Sequence, residues 1–429
     1  MNDLLSFLYN SPTAFQAVDN IAALLKENGF QEYSENETVA FKKGGKYFTT
    51  RNQSSILAFK VGKDLKDANF HIAASHSDCP GFKLKPNSLK SGPHGVFAQL
   101  NTEVYGGALL APWFDRPLSL AGRLILRTEK GVQSRLFDMK KNFCMIPSLA
   151  IHMNREANKG YSYNPQKDLL PIVAMEKDFD LNAYLVREAG IEKDQLLGYD
   201  LYLYPRQEPV VWGAEDEFFA SHHIDNLECA YTTLKAFLEA DKKTNINVYA
   251  CFDNEEVGSL TRQGADSDFL VRNLEKVANG LGLSYPEILA GSMMLSCDNA
   301  HSAHPNYPEK DDPTNHVIMN KGIVIKYNAN QSYTSDALSS AVFRLICDKA
   351  KVPYQFYTNR SDIRGGSTLG NLSNAQVSLL SLDIGCAQLA MHSCYESAGM
   401  KDVQYMIDGV RAYYNTHVSL TKDGSYHLS

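Results

Sequence analysis

The sequence predicts an α/β protein whose sheet is covered by helices on both faces and whose chain is interrupted by a β-rich insertion. Three observations carry that prediction. Apolar runs of strand length alternate with helical apolar stripes, several of those runs end in histidine or acidic residues, and the stretch from about 90 to about 213 breaks the alternation. At 429 residues the chain is too long for one ordinary core. The expected division is a first domain built from residues 1–90 and 214–429, with residues 91–213 inserted as a second.

In chain order, the first element is a helix that Ser11 caps and Pro12 opens. Phe15, Val18, Ala22 and Leu25 form its apolar stripe, and Gly29 suits its end. Residues 70–75 read as a strand running into His76-Ser77-Asp78. In the insertion, 120–126, 132–137 and 169–174 read as short strands between turns. A helical stripe follows at Leu227, Ala230, Leu234, Phe237 and Leu238. A strand over 246–252 runs into Asp253-Asn254-Glu255-Glu256, one over 293–296 precedes Asp298, and one over 377–384 precedes the loop carrying His392. Val403, Met406, Ile407, Val410 and Tyr414 mark a last helix. In α/β sheets ligands gather beyond the carboxyl ends of the strands, where these polar clusters fall.

Composition removes several classes of function. Hydrophobic content of 44% with 21% charge is that of a globular chain, and no apolar run reaches the roughly 18 residues a membrane helix needs. The opening residues carry no basic segment and no long apolar stretch of a secretory signal, so the expected compartment is the cytoplasm. Net charge is −7 and the pI about 6.0, with no basic cluster to neutralise phosphates, which argues against nucleic acid as a partner. Eight scattered cysteines include no Cys-x-x-Cys pair, so neither a thiolate zinc knuckle nor a redox dithiol is expected.

His76, Asp225, Glu256, Asp298 and His392 are candidate ligands for divalent metals, because all five sit at predicted strand ends or in the loops after them. Singly, each has a plainer reading. Asp225 with Asn226 caps the following helix, Asp298 caps a turn with Asn299, and His392 is a satisfied polar side chain. Glu255-Glu256 is the sharpest local feature. Adjacent residues on a strand point to opposite faces, so both carboxylates serve one site only if they lie past the strand end, on a turn through Val257-Gly258-Ser259. One then binds metal while the other handles protons; the alternative is a solvated acidic turn.

Eight segments, in order along residues 75–393, are similar to those of the M18 family of metalloaminopeptidases, the aspartyl aminopeptidases. They are Ser75-His76-Ser77-Asp78, Val104-Tyr105-Gly106-Gly107, Trp113-Phe114-Asp115-Arg116, Ile146 through His152, Ile224-Asp225-Asn226, Asp253 through Ser259, Ala300-His301 through Tyr307, and Gln388 through Ser393. The resemblance implies a di-zinc exopeptidase fold with a mixed central sheet between helices and an inserted dimerisation domain. It implies two divalent ions per chain, zinc first and manganese or cobalt as alternatives. One ion would lie on His76 and Asp298 and the other on Glu256 and His392, with Asp225 bridging both. Asp78 would orient the His76 ring, and Glu255 would be the general base for a water whose pKa the paired metals lower. Lys326 would face an acidic side chain of a peptide substrate. His152 would reach into a neighbouring subunit's site to stabilise the tetrahedral intermediate. The implied assembly is a dimer-based homo-oligomer, a tetrahedral dodecamer. On its own pattern, Lys326 also reads as a strand lysine pointing to solvent.

The match departs from the family at His223, where Arg is frequent, and at Pro117, where an acidic residue is common. It departs again at Arg364-Gly365 in place of Pro-Cys, and at Ala387, where Pro is frequent. None of these touches a proposed ligand, but the Arg364 loop leaves room for a neutral, Leu-type preference. Two other classes compete. Glycoside hydrolysis by Glu255 with Asp225 or Asp298 leaves His76 and His392 without work. A catalytically silent self-assembling scaffold predicts the loss of Glu255 or of a ligand, and all are present. No Gly-x-Ser-x-Gly elbow supports a serine nucleophile.

Overall fold

Phe70–His76, Ile246–Phe252 and Met293–Cys297 are buried along their whole length. A strand buried on both faces needs neighbours in the sheet and helices above and below it. In the computed structural model, which describes residues 1–176, 178–241 and 243–429, these strands form the middle of a nine-stranded mixed sheet. Its order is Gln31–Glu32, Lys46–Arg51, Ser55–Val61, Ile246–Phe252, Phe70–His76, Met293–Cys297, Leu380–Gly385, Ile323–Tyr327 and Tyr354–Thr358. The four strands from Ile246–Phe252 to Leu380–Gly385 run parallel, with Phe252 beside His76 and Cys297 beside Ile384. Their carboxyl ends therefore share one edge, and that edge carries the chemistry.

Alternation along the strands sorts side chains into two cores. Tyr249, Cys251, Ala73 and Leu295 pack with helices Ala14–Glu27, Ile224–Glu239, Ala337–Ala350 and Met400–Asn415. Val248, Ala250, Phe252 and Ile72 pack on the other face with Phe269–Gly280 and the start of Leu369–Gln376. This is the predicted α/β arrangement. Two local expectations shift. The helix expected from Ser11 begins at Ala14, because the Thr13 hydroxyl accepts from the Phe15 N–H at 3.3 Å; Ser11 is buried and accepts from Asn20 Nδ2 at 3.0 Å. An unanticipated helix, Asn2–Tyr9, precedes it and buries Leu4, Phe7 and Leu8.

After His76 the chain leaves the central sheet. A six-stranded antiparallel sheet follows in the order Gly131–Asp138, Leu118–Thr128, Leu196–Pro205, Gly81–Ser91, Ala98–Tyr105 and Ile172–Ala174. It has its own core, with Phe82, Leu100, Trp113, Leu120 and Leu201. A five-stranded sheet joins Val210–Trp212, Phe218–Ser221, Glu396–Gly399, Ala387–Leu389 and Ala300–His301. It sets Ser221 opposite Glu396 and so ties the segment before Asp225 to the segment after His392. All eight cysteines are free, and all but Cys79 are buried. Among the described residues, no helix is long and apolar enough to cross a membrane.

Candidate metal centre

His76 is the last residue of its strand and is buried. Its Nδ1–H donates to the Asp78 carbonyl at 3.0 Å, which leaves the Nε2 lone pair free to ligate. Nε2 faces Asp225 Oδ1 at 3.5 Å, Asp298 Oδ1 at 3.7 Å and Glu255 Oε2 at 3.9 Å. Asp298 follows directly on Met293–Cys297, and its N–H donates to the Ile384 carbonyl at 2.9 Å, so the sheet itself sets its position.

Asp225 lies at the start of Ile224–Glu239 but has non-helical angles (φ −79°, ψ 110°), and its peptide bond to Asn226 is cis. It does not cap the helix with its side chain. Its Oδ2 lies 3.5 Å from His392 Nε2, so its two oxygens face two different histidines. Burial pushes this carboxyl up, but the facing His392 and His76 rings outweigh burial and hold it below the usual carboxylate range.

Glu255 and Glu256 occupy a 3-10 turn just past Ile246–Phe252, entered through Asn254 at φ +62°. Their N–H groups donate to Asp78 Oδ1 at 3.1 Å and Oδ2 at 3.2 Å, and Tyr105 Oη donates to the same Oδ2 at 2.7 Å. The same carboxylate, its Oδ1 3.4 Å from His76 Nδ1, thus lies against the ring and pins the acidic turn. Glu256 Oε2 lies 3.5 Å from His392 Nε2. Burial pushes the Glu255 carboxyl up to about 8, against the attraction of His76.

His392 stands in a loop at φ +67°. Its Nδ1–H donates to the Gly107 carbonyl at 3.1 Å, again leaving Nε2 free. Gly106 and Gly107 fit tightly against the site. A Cβ on Gly106, itself at φ +68°, would sit 3.0 Å from the Glu256 Cβ, and one on Gly107 would sit 3.3 Å from His392 Nδ1.

The five predicted ligands therefore gather as two triads, His76–Asp225–Asp298 and Asp225–Glu256–His392. The ligand atoms of each triad lie within 4.8 Å of one another. A third grouping, His76–Glu255–Glu256, meets the same criterion. Asp225 Oδ1 and Glu256 Oε1 are buried without a hydrogen-bond partner. Two unmatched buried carboxylate oxygens beside two imidazoles with free Nε2 atoms are a donor set suited to divalent cations.

Lys326 is buried rather than solvated. Its Nζ donates to the Asn299 carbonyl at 3.1 Å, lies 3.8 Å from Asp298 Oδ2, and sits 5.2 Å from the Tyr333 ring centre. His152 is not brought to this cluster. It lies in an exposed turn with Leu149, Ile151 and Met153. His223 is buried against His222, with the Nδ1 atoms 3.1 Å apart, and burial pushes its pKa down to about 4. The Arg364 loop is exposed.

Two contributors escape sequence reasoning. Tyr105 was visible only as part of a motif. Glu396, whose carboxylate accepts the N–H groups of both Asp225 and His392, had one signal, a lone acid in an otherwise uncharged strand.

The chain matches the family model described as aminopeptidase I zinc metalloprotease (M18) over residues 7–414. It is 43% identical over 425 residues to "Probable M18 family aminopeptidase 2" of Clostridium novyi (strain NT), covering 96% of this chain and 98% of that one. It is 40% identical over 421 residues to the protein of the same name from Pseudomonas aeruginosa (strain UCBPP-PA14), covering 96% and 97%. Among solved structures, it superposes on a chain from the cryo-EM structure of the Ape4 and Nbr1 complex with a TM-score of 0.93 at 33% identity, covering 96% of this chain and 85% of that one. It superposes on the S. cerevisiae mApe1 dodecamer structure with a TM-score of 0.85 at 26% identity, covering 96% and 95%.

Proposed function

The chain belongs to the M18 family and is a metalloaminopeptidase, and on that premise we propose that it releases single N-terminal residues, Asp or Glu by preference, using two divalent ions and Glu255 as general base. The observation that carries the two-ion reading is Asp225, whose two oxygens face different histidines at 3.5 Å each. His76 and Asp298 would complete one ion's protein ligands, and Glu256 and His392 the other's. Zinc suits these mixed imidazole and carboxylate donors, as do manganese and cobalt.

When bound, the ions supply Lewis acidity toward the scissile carbonyl and lower the pKa of a water. The rest is the work of side chains. Asp78 holds the His76 ring and the Glu255–Glu256 amides, so the two carboxylates keep separate tasks. Glu255 Oε2 takes the proton of the attacking water and returns it to the leaving amine. Anchoring of the substrate's free α-amino group at the carboxylate-rich site restricts cleavage to the first residue.

Lys326 supports the acidic preference. It is a buried cation beside Asp298 in a chain of net charge −7, and a desolvated cation is where an acidic side chain gains most. Residues 1–90 and 214–429 would form the catalytic unit and 91–213 the dimerisation unit, save that the strand Gly81–Ser91 pairs within the six-stranded sheet and goes with the latter. The exposed turn carrying His152 among Leu149, Ile151 and Met153 suits a protein contact, through which His152 serves a neighbouring subunit. A homo-oligomer, up to a tetrahedral dodecamer, follows from this reading, and a relative of 26% identity is described as a dodecamer. Eight unpaired cysteines accord with a cytoplasmic enzyme.

The test is to strip the protein with a chelator and restore zinc, manganese or cobalt separately. Each sample is then assayed on Asp-, Glu-, Leu- and Lys-capped chromogenic substrates. Metal-dependent release favouring Asp or Glu is the expected result. Preference for Leu would refute the role given to Lys326 and direct attention to the Arg364 loop. Inactivity with every metal, from a folded oligomer, would favour the scaffold reading.

A further inference from the structure

Glu396 is buried at 2% exposure, and the chemistry above makes no use of it. Its Oε2 accepts the N–H of Asp225 at 3.0 Å, while Oε1 accepts the N–H of His392 at 2.8 Å and Gln388 Nε2 at 3.3 Å. Those two amides belong to residues whose backbone no regular element holds. Asp225 has non-helical angles, and His392 sits at φ +67°. Their side chains are the ones that meet at 3.5 Å. Gln388 continues the network, its Oε1 accepting from Asn299 Nδ2 at 2.9 Å, next to Asp298.

We propose that Glu396 is a positioning residue for the metal pair, its carboxylate locking the backbones of Asp225 and His392 at the separation their side chains need to share an ion. The inference rests on the two-ion reading. A carboxylate fits where an amide does not, because two separate N–H donors need an acceptor on each oxygen. Glutamine would offer one acceptor and turn its NH2 against the other donor. An apolar residue would leave both amides unpaired.

The experiment uses the whole 429-residue chain in three forms: wild type, Glu396→Gln and Glu228→Gln. Glu228 lies in the same buried layer, accepting from Asn299 Nδ2 at 2.7 Å, and has no hydrogen bond to the five proposed ligands. Cobalt(II) is titrated into metal-free protein, with visible absorption and chelator competition as readouts. The melting temperature of each metal-free form is measured alongside. Wild type is expected to take two ions. Glu396→Gln is expected to bind the weaker ion about 10–100-fold less tightly, with an altered cobalt spectrum and, at saturating metal, a fall in kcat larger than any change in KM. Glu228→Gln is expected to keep both affinities whatever it does to the melting temperature. Should Glu396→Gln fail to fold, Glu396→Asp keeps the charge but is one methylene short of spanning both amides, and an intermediate loss is expected. Wild-type affinities and spectrum in the folded position-396 variant would overturn the proposal. So would an equal loss of affinity in Glu228→Gln, since burial of the network would then be the whole effect. Failure of wild type to take two ions would instead refute the two-ion reading on which it rests.

Discussion

On one side of Asp225, His76 and Asp298 stand at or just past the ends of parallel strands, with side chains only 1% and 10% exposed. On the other side, Glu256 comes from a turn and His392 from a loop, and the His392 side chain is 32% exposed. The inner pair is placed by sheet hydrogen bonds that would exist without any site. The outer pair depends on devices with no other evident use: Gly106 and Gly107 close against it, two left-handed residues at Asn254 and His392, and Glu396 beneath it. Half of the candidate centre therefore comes with the fold, and half is added to it.

Four experiments test whether the two halves differ in this way. The largest effect is expected for Glu255→Gln, which lowers kcat by about 10²–10⁴-fold with both ions retained. Excess metal does not rescue it, whereas Glu256→Gln loses activity that added metal partly restores. Turnover near wild type in metal-replete Glu255→Gln would remove the proton-transfer role.

Graded chelation comes next. The ion on the exposed side should leave first, giving two steps in residual metal separated by at least about tenfold in chelator concentration, a spread within the range set by supporting contacts. A single step by elemental analysis would mean that the halves do not differ in affinity.

Acid stability probes the segment that delivers Asp225. Burial holds the His223 pKa at about 4, below its ordinary 6.5. Above 6.5 the group is neutral folded or unfolded and stability is unaffected. As pH falls below 6.5 the unfolded chain takes up a proton that the folded chain refuses, so stability is lost down to about pH 4. Between pH 7.5 and 5 the expected loss is about 2 kcal/mol. Urea unfolding at the two pH values measures it, and His223→Gln should reduce the difference without abolishing it, because burial also lowers the pKa of the neighbouring His222.

The smallest effect is expected for Gly107→Ala. Its Cβ would lie 3.3 Å from His392 Nδ1, so the ring must shift by a few tenths of an ångström. Metal affinity on the outer side should fall several-fold, about 1 kcal/mol, with the inner ion unchanged. Loss of the inner ion instead would reverse the assignment of the two halves.

The same contrast explains what could be read from the sequence. His76, Asp298 and the Glu255–Glu256 turn were legible because each follows a largely apolar run, and parallel buried strands end on one edge. The two helical stripes from Leu227 and from Val403 were legible by their period. Glu396 was not, because its partner Asp225 is 171 residues away and no local pattern announces an amide that needs an acceptor. Thr13 displaced Ser11 as a cap because both residue types suit the position and only the backbone decides between them. The Asn2–Tyr9 helix is too short for its period to stand out, and packing against Tyr231 through Phe7 holds it.

The interleaved strand order has a consequence for the newborn chain. Ser75 hydrogen-bonds to the Ala250 carbonyl across 175 residues, and Glu396 accepts the amides of both Asp225, 171 residues away, and His392. Contacts of such separation form late, after most of the chain is available. A ribosome-bound fragment that ends before His392 lacks a proposed ligand and one edge of the support. On the proposed ligand assignment, the centre closes only after the loop that follows Leu380–Gly385 has been made, so a fragment lacking that loop is expected to be inactive.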